Sequence, residues 1–398
     1  MSTTATDEVV YLDHNATTPV APEVLEAMLP YLRGELGNPS SDHGFGRRAR
    51  QAVEEARASV AALIGARPDE IVFTSGGTES NNLAIRGVAA KAPSDRRRIV
   101  TSAVEHPATT APLALLEGSG WMLTRVPVAA SGILDLAASL AALGDDVALA
   151  TVMLAHNETG ALMPVAELAA AARAHRALVH TDAAQAIGKI PVSVEDLGVD
   201  LCSIAGHKLY APKGVGALYV RRGTPLSPLV VGAGQEQGLR PGTENVAGIV
   251  GLGAACELAR SRLAYDSPRL GALRDELLAT LRAGVPGLVC HTPLGTALPN
   301  TLFVSFSGVH GTDLLARAPG VAASTGSACH AGNESPSATL LAMGVAPEIA
   351  LCALRLSLGR DTTARAIALA ADHLVAAYHQ ARNEHPVPDA SEREEASR

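Results

Sequence analysis

From residue 71 to residue 220, short apolar runs alternate with segments in which apolar residues recur at helical spacing. Strands that alternate with helices need crossover connections, which place successive strands parallel in one sheet. The predicted strands are 71–73, 99–102, 121–126, 147–154, 177–180, 201–204 and 216–220. The sequence therefore predicts an α/β fold with a large domain built on a mostly parallel sheet.

The second part of the chain has a different pattern. Residues 231–245 are glycine-rich, and 246–284 reads as one long helix that connects two domains. Further strands are predicted at 301–305, 321–324 and 354–357, with helices between them. We therefore expect a smaller α+β domain after the long helix.

The composition argues against several classes of protein. The 398 residues carry a formal net charge of -8 and no basic tract, so we expect neither nucleic acid nor a membrane surface as partner. No secretory signal is visible, and no apolar run reaches the ~20 residues of a membrane span. The five cysteines form no C-x-x-C pair, which argues for a reducing compartment and against a disulfide framework or a structural zinc site. We expect a soluble, cytoplasmic protein with no metal site.

Polar residues and glycines stand where several predicted strands end. They are Gly77, Thr78, His106, Asn157, Asp182, Gln185, Gly206, His207 and Lys208. Each has a simple explanation alone, since such a glycine is usually a turn, an aspartate a helix cap and a lysine a solvated cation. Because open α/β sheets bind ligands at the carboxyl ends of their strands, the whole set predicts one ligand in one crevice.

The residue types define the chemistry of that ligand. The S-G-G-T segment before a helix offers free backbone N–H groups and a hydroxyl, which suit a phosphate. It matches neither G-x-x-x-x-G-K-[ST] nor G-x-G-x-x-G, so a nucleotide is not indicated. Asp182 suits a protonated ring nitrogen, His106 a flat aromatic face and Lys208 an aldehyde. Together these features describe pyridoxal 5′-phosphate (PLP).

Ten segments between residue 11 and residue 360 carry a resemblance to a known family. In chain order they are Y-L-D-H-N-A-T-T-P (11–19), G-N-P-S-S (37–41), F-T-S-G-G-T-E-S-N-N (73–82), E-H (105–106), N-E-T-G (157–160), H-T-D-A-A-Q (180–185), G-H-K (206–208), R-P-G-T-E-N (240–245), S-T-G-S-A-C (324–329) and R-L-S-L-G-R (355–360). With them the chain resembles the cysteine desulfurases and selenocysteine lyases, PLP-dependent enzymes of the class V aminotransferase type.

The resemblance implies a fold-type-I PLP-dependent transferase with a seven-stranded, mostly parallel sheet. The implied organisation is an N-terminal segment packing with the small domain (1–20), a large PLP-binding domain (21–255), a small α+β domain carrying a catalytic cysteine loop (256–383) and a tail (384–398). The tail is charged with almost no apolar content, so we expect it to be disordered.

The resemblance also assigns roles to single residues. Lys208 is implied as the Schiff-base lysine, Asp182 as the partner of the pyridinium, and His106 as the ring that stacks on the cofactor. Further implied cofactor-binding residues are Asn157 and Gln185 on the ring oxygen, Gly77, Thr78 and His207 on the phosphate, and Gly206. Thr243 is implied to reach the phosphate of a neighbouring subunit, which implies a homodimer. Arg355 and Asn157 are implied to bind the substrate, Arg355 through its carboxylate.

Cys329 distinguishes this family from ordinary transaminases. It follows a run rich in Ser, Thr and Gly, so we expect a mobile, exposed loop, and His330 is a candidate for promoting its thiolate. The implied reaction takes sulfur from L-cysteine, leaving L-alanine and a persulfide on Cys329 for an acceptor such as an iron–sulfur scaffold protein. For Cys202, Cys256 and Cys352 the sequence favours small buried thiols.

Three other functions stay open on the sequence. Ala205 stands where many desulfurases of this kind have a phosphate-binding serine, and A-C-H (328–330) also favours a selenocysteine lyase that releases L-alanine and selenide. A class V aminotransferase would need no Cys329, and a keto-acid assay would reveal it. A non-catalytic sulfur scaffold would need several converging cysteines, and only Cys329 lies in a plausible site.

Overall fold

The computed structural model describes residues 9–325, 328–330 and 333–384, with the backbone alone for 328–330, 333 and 334. The strands of this part of the chain are β1 (Val10–Tyr11), β2 (Ile71–Thr74), β3 (Arg98–Ser102), β4 (Met122–Val126), β5 (Val147–Thr151), β6 (Leu178–Asp182), β7 (Leu201–Ala205), β8 (Gly216–Val220), β9 (Val289–Cys290), β10 (Thr301–Ser305), β11 (Val321–Ala322), β12 (Ser324–Thr325), β13 (Ala328–His330), β14 (Asn333–Ser335) and β15 (Ala353–Ser357). The helices are α1 (Pro22–Arg33), α2 (Gly44–Ile64), α3 (Gly77–Lys91), α4 (Pro107–Glu117), α5 (Leu136–Ala141), α6 (Val165–Ala174), α7 (Val194–Leu197), α8 (Val246–Gly284), α9 (Gly311–Arg317), α10 (Ala338–Ala342), α11 (Pro347–Ala350) and α12 (Ala364–Glu384).

Seven strands form the larger sheet, in the order β2-β8-β7-β6-β5-β3-β4. Strands β3 to β7 run parallel to one another, and β8 is antiparallel to both β2 and β7. Strands β5, β7 and β8 are buried along their whole length, which explains their continuous apolar runs. The predicted α/β fold with a mostly parallel seven-stranded sheet is confirmed.

Helices cover both faces of this sheet. One core contains Val60 of α2 and Leu252 of α8, and the core of the other face contains Leu83 of α3 and Leu113 of α4. Because β6 and β7 pair in parallel, with Asp182 opposite Ser203, the ends of these two strands lie side by side. This pairing brings Asp182 and the Gly206–Lys208 turn to one edge of the sheet.

The second sheet is antiparallel, in the order β12-β15-β10-β9, and has a hydrophobic core of its own. Strand β1 pairs with β11, and Val10 and Leu12 belong to this second core. Helix α8 passes from one core to the other, since Cys256 packs in the first and Leu270 in the second. The domain boundary at 255/256 falls inside this continuous helix and stays a prediction.

Several local features differ from the sequence-based expectation. Helix α2 begins at Gly44 rather than near residue 47, because the Nδ1 atom of His43 accepts a hydrogen bond from the Gly46 N–H and caps the helix. The short helices α5 and α7 are absent from the prediction, since their few residues carry too little periodicity to be recognised.

The segment around Cys329 contains a hairpin that the sequence did not predict, while the mobility and exposure expected of it stay predictions. The backbone of β13 pairs antiparallel with that of β14, and Cys329 stands opposite Glu334. The side chain of Cys329, and with it any contact to His330, lies outside the described residues. The predicted disordered tail likewise lies outside them, apart from Glu384, which ends α12. In the described part of the chain, no helix has the length and apolar character needed to cross a membrane.

Candidate active site

A cavity of about 190 Å³ lies at the carboxyl ends of the parallel strands. It is lined by most of the predicted site residues, namely Gly77, Thr78, His106, Asn157, Asp182, Gln185, His207 and Lys208, and also by Ala108, Met153, Ala155, Ala184 and Ala205. The structure therefore gathers residues that are up to 131 positions apart in sequence into one site. Gly206, Arg355 and Thr243 are not among the lining residues.

Lys208 ends the short 3-10 turn that follows β7. Its ammonium group donates hydrogen bonds to two backbone carbonyls, Asn15 O at 2.6 Å and Ala16 O at 2.8 Å. Burial, helped by the Arg355 cation and opposed by Asp182, lowers the pKa of Lys208 from 10.5 to about 8. Near neutral pH, a much larger fraction of Lys208 is therefore the neutral, nucleophilic amine than of an ordinary lysine.

Gly206 supports this turn without lining the cavity. A Cβ atom at residue 206 would lie 2.8 Å from Val215 O, so only glycine allows the backbone to approach β8 this closely. Packing against Val215 therefore explains why a glycine stands at position 206. A role of Gly206 in cofactor binding stays a proposal.

Asp182 is a buried carboxylate at the end of β6. Its Oδ2 atom accepts a 2.7 Å hydrogen bond from Asn81 Nδ2, and its Oδ1 atom accepts one from the Ala184 N–H. Asn81 lies on α3 and orients the carboxylate, while its own Oδ1 atom has no partner among the described residues. In the sequence, Asn81 stands within the F-T-S-G-G-T-E-S-N-N segment (73–82), and its contact with Asp182 is seen only in the folded chain.

His106 is the N-cap of α4, and its Nδ1 atom accepts a hydrogen bond from the Ala108 N–H. An accepting Nδ1 places the proton of the neutral ring on Nε2. Burial lowers the pKa of His106, so the neutral form is favoured. The preceding Glu105 is fully buried, accepts from Ser102 Oγ and the Met153 N–H, and has its pKa raised to about 8 by burial.

The amino terminus of α3 forms another end of the cavity. Gly76 precedes it with a φ of 145°, a conformation that favours glycine, and a Cβ at Gly76 would meet only open space. The first backbone N–H groups of this 15-residue helix are therefore available to an anion. His207 lies nearby with its pKa lowered to about 4, chiefly by burial, and so is neutral.

Arg355 lies on β15 and connects the two sheets. Its Nη2 atom donates to Asp13 Oδ1 at 2.7 Å and to Ser324 Oγ at 3.1 Å, and its Nη1 atom donates to Asn157 O. The buried Nε atom has no partner among the described residues. Arg355 therefore borders the site next to Asn157, and its guanidinium group is not fully paired among the described residues.

Thr243 is exposed and lies in the glycine-rich segment before α8. This segment approaches the amino terminus of α3, because Arg240 forms a 3.0 Å ion pair with Glu79. The same segment is anchored by Glu236, which accepts from both the Arg57 guanidinium and the Phe73 N–H. In a single chain, Thr243 contributes nothing to the cavity.

The residues of the cavity fit PLP. A lysine of lowered pKa suits the PLP aldehyde, and a buried carboxylate suits the ring nitrogen. Gly76 and Gly77 at the start of α3 leave room for the phosphate next to the first backbone N–H groups of the helix. This fold with this site defines the class of PLP-dependent α/β enzymes.

Comparison with known proteins specifies the class further. The family model for class-V aminotransferases matches residues 10–369. The cysteine desulfurase IscS of Dictyoglomus turgidum is 47% identical over 89% of this chain and 90% of its own length. A solved NifS-like protein superposes with a TM-score of 0.87 at 38% identity, over 92% of this chain and 98% of its own. A solved structure titled "SspA in complex with cysteine" superposes with a TM-score of 0.78 at 35% identity, over 87% of this chain and 98% of its own.

The chain therefore belongs to the class-V aminotransferase family, and within it to the cysteine desulfurases. Members of this family depend on PLP, in agreement with the donor set of the cavity.

Proposed function

We propose that this cysteine desulfurase uses the cavity at the end of β6 and β7 to bind PLP and L-cysteine, and that Cys329 receives the sulfur. The observation that carries the proposal is the convergence of Lys208 and Asp182 on one cavity, with the pKa of the lysine lowered to about 8. When bound there, PLP supplies an aldehyde for amines and a ring that withdraws electrons from the substrate Cα.

Each chemical feature of the cofactor has a partner in the cavity. Asp182, oriented by Asn81, would pair with the ring nitrogen, and the neutral ring of His106 would contact the cofactor ring. The side chains of Gln185 and Asn157 would bind the ring oxygen. Gly77, Thr78 and His207, next to the Gly206 turn, would hold the phosphate with the first backbone N–H groups of α3.

Lys208 would hold the cofactor aldehyde before the substrate arrives and would move protons afterwards. As a free amine, Lys208 has a pKa near 8, which suits both removing and returning a proton at neutral pH. The carbonyls of Asn15 and Ala16 hold its Nζ atom when it is free.

Arg355 holds the substrate carboxylate. Its side chain is fixed by Asp13 and Ser324, so it is oriented before the substrate binds. Ser324 lies on β12, opposite Arg355 in the sheet, and Cys329 follows this strand in the chain. The residue proposed to bind the substrate therefore pairs with the strand that precedes Cys329 in sequence.

The sulfur transfer balances without a further reactant. The Cys329 thiolate attacks the sulfur of L-cysteine, the bond between sulfur and Cβ breaks, and Cβ receives a proton to give L-alanine. The displaced sulfur remains on Cys329 as a persulfide, which a sulfur-acceptor protein such as an iron–sulfur scaffold then takes.

The protein acts as a homodimer in the cytoplasm under this proposal. Large apolar side chains are exposed on α1 and in the glycine-rich segment, among them Leu32 at 61% and Val231 at 87%. Such side chains suit an interface between two copies, which would also bring Thr243 to the phosphate of the neighbouring site. The described cysteines are all unpaired, which suits a reducing compartment.

The proposal is tested by following the sulfur atom. PLP-loaded protein is treated with L-cysteine, alkylated and digested, and the peptide that carries Cys329 is weighed. We expect the mass of one added sulfur atom on this peptide and on no other cysteine peptide, and its absence in a Lys208→Ala variant. Sulfur on Cys290 instead, or alanine without sulfur on any cysteine, would refute the assignment of Cys329.

A further inference from the structure

Lys189 is a buried lysine next to the cavity that the proposed mechanism does not use. Only 9% of its surface is exposed, yet it pairs with no carboxylate within the described part of the chain. Its Nζ atom donates to Asn15 Oδ1 at 2.8 Å and to Gln185 Oε1 at 2.7 Å. A lysine amine is costly to bury, so this arrangement calls for an explanation.

The contact with Lys189 determines which way the Gln185 amide points. A protonated lysine can only donate, and the two N–H groups of a neutral lysine match the two oxygens at this site, Asn15 Oδ1 and Gln185 Oε1, so the atom facing the lysine is assigned as the amide oxygen. The Nε2 atom of Gln185 then donates one hydrogen to Asn15 O at 3.0 Å and has a second hydrogen left. Since Gln185 lines the cavity, it presents a donor there and no acceptor.

Asn15 connects Lys189 to Lys208. Its side-chain oxygen accepts from Lys189 and from Asn300 Nδ2, while its backbone carbonyl accepts from Lys208 and Gln185. The residue held by Lys189 is therefore the one whose carbonyl holds the amine of Lys208.

We propose that Lys189 is a positioning residue, which fixes the Gln185 amide so that its N–H group faces the oxygen on the cofactor ring. The proposal rests on the proposed function, because it needs PLP in this cavity. Without Lys189, only the Asn15 carbonyl holds the amide in this orientation, and an amide that turns places its oxygen against the anionic ring oxygen. Binding of PLP is then weakened, and the anionic ring oxygen loses a hydrogen bond.

A double-mutant cycle with Lys189→Met and Gln185→Leu tests the proposal. Equilibrium dialysis gives the dissociation constant of PLP for each apo protein, and the visible spectrum of the loaded protein is titrated with pH. We expect Kd to rise about tenfold in each single variant, the loss of one hydrogen bond to a charged group. In the double variant it should rise about tenfold as well, rather than about a hundredfold, because one residue acts through the other.

The pH titration separates positioning from a general structural effect. A donor to the anionic ring oxygen stabilises that anion, and losing the donor raises the pH at which the anion forms. The pH midpoint of the visible absorption change should therefore rise in both single variants and no further in the double variant. Lys91→Met, at the exposed end of α3, is the matched control and should leave both Kd and midpoint unchanged.

Two outcomes would overturn the inference. One is an unchanged Kd and midpoint in Lys189→Met, even if its thermal unfolding temperature falls. The other is additive effects in the double variant. A wild-type apo protein that binds no PLP would instead refute the proposed function, so the two failures are distinguishable.

Discussion

The lowered pKa of Lys208 makes a quantitative prediction about cofactor uptake. Only a neutral amine attacks the PLP aldehyde, so the rate of uptake by apo protein follows the neutral fraction of Lys208. Lowering the pKa from 10.5 to about 8 raises that fraction at pH 7 from about 0.03% to about 9%, roughly 300-fold. The rate should therefore rise with pH and level off above about pH 8.

The variant Arg355→Gln tests whether the arginine cation helps to lower the pKa of Lys208. The Arg355 cation lowers the pKa of Lys208, while Asp182 and Asp13 raise it. Removing the cation therefore raises the pKa of Lys208 and moves the pH midpoint of uptake upward. A rise of half to one pH unit would slow uptake at pH 7 about three- to tenfold. The exposed Arg365, which is not among the groups that shift this pKa, provides the control Arg365→Gln.

The assay is stopped-flow absorbance after apo protein is mixed with PLP, from pH 6 to 10, with Lys208→Ala as the blank. A wild-type rate that still climbs tenfold per pH unit between pH 8.5 and 10 would show that Lys208 keeps an ordinary lysine pKa. An unshifted midpoint in Arg355→Gln would refute the assigned effect of the arginine.

Three further predictions concern the carboxylates. Asp182→Asn should lower kcat for alanine release at least about a hundredfold, because an amide cannot stabilise a protonated ring nitrogen. Burial raises the folded-state pKa of Glu105 from 4.5 to about 8. The stability that protonated Glu105 contributes is therefore full below pH 4.5 and is lost as the pH rises to 8. Since a glutamine does not titrate, Glu105→Gln should flatten the fall in Tm over this pH range. Glu236→Gln should destabilise the fold by about 3–5 kcal/mol in urea unfolding, because it removes the buried charge partner of Arg57 and leaves this cation with only the more exposed Glu54.

Each of these predictions has a result that contradicts it. Retention of more than a tenth of kcat in the Asp182 variant would remove that carboxylate from the chemistry. A Tm that falls as steeply with pH in the Glu105 variant as in wild type would show that another group titrates. For Glu236, the control is Glu54→Gln, whose more exposed carboxylate pairs with the same arginine, and an equal loss in both variants would contradict the argument from burial.

The sequence predicted the large sheet well because its signal is local. Strands such as β7 and β8 are continuous apolar runs, and the turns after them carry the polar residues of the site. Since the carboxyl ends of parallel strands meet at one edge, the sequence alone was enough to expect Lys208 and Asp182 close together. Their hydrogen-bond partners, distances and burial depend on the folded chain.

Other features could not be predicted because they depend on contacts across the fold. Nothing near Lys189 in the chain indicates that its amine is buried against Asn15, which is 174 residues away. The support that Asn81 gives to Asp182 likewise depends on α3 packing beside the end of β6. The hairpin at Cys329 was missed because its strands are three residues long and are bordered by glycine and polar residues, which do not show a strand pattern.

Release of L-alanine tests directly whether the protein takes sulfur from L-cysteine through Cys329. PLP-loaded wild type and Cys329→Ala are each given L-cysteine and L-selenocysteine, and alanine is quantified. We expect wild type to release alanine from L-cysteine and the variant to lose this activity. Alanine from L-selenocysteine alone, or an undiminished rate from L-cysteine in Cys329→Ala, would contradict a desulfurase that transfers sulfur through Cys329.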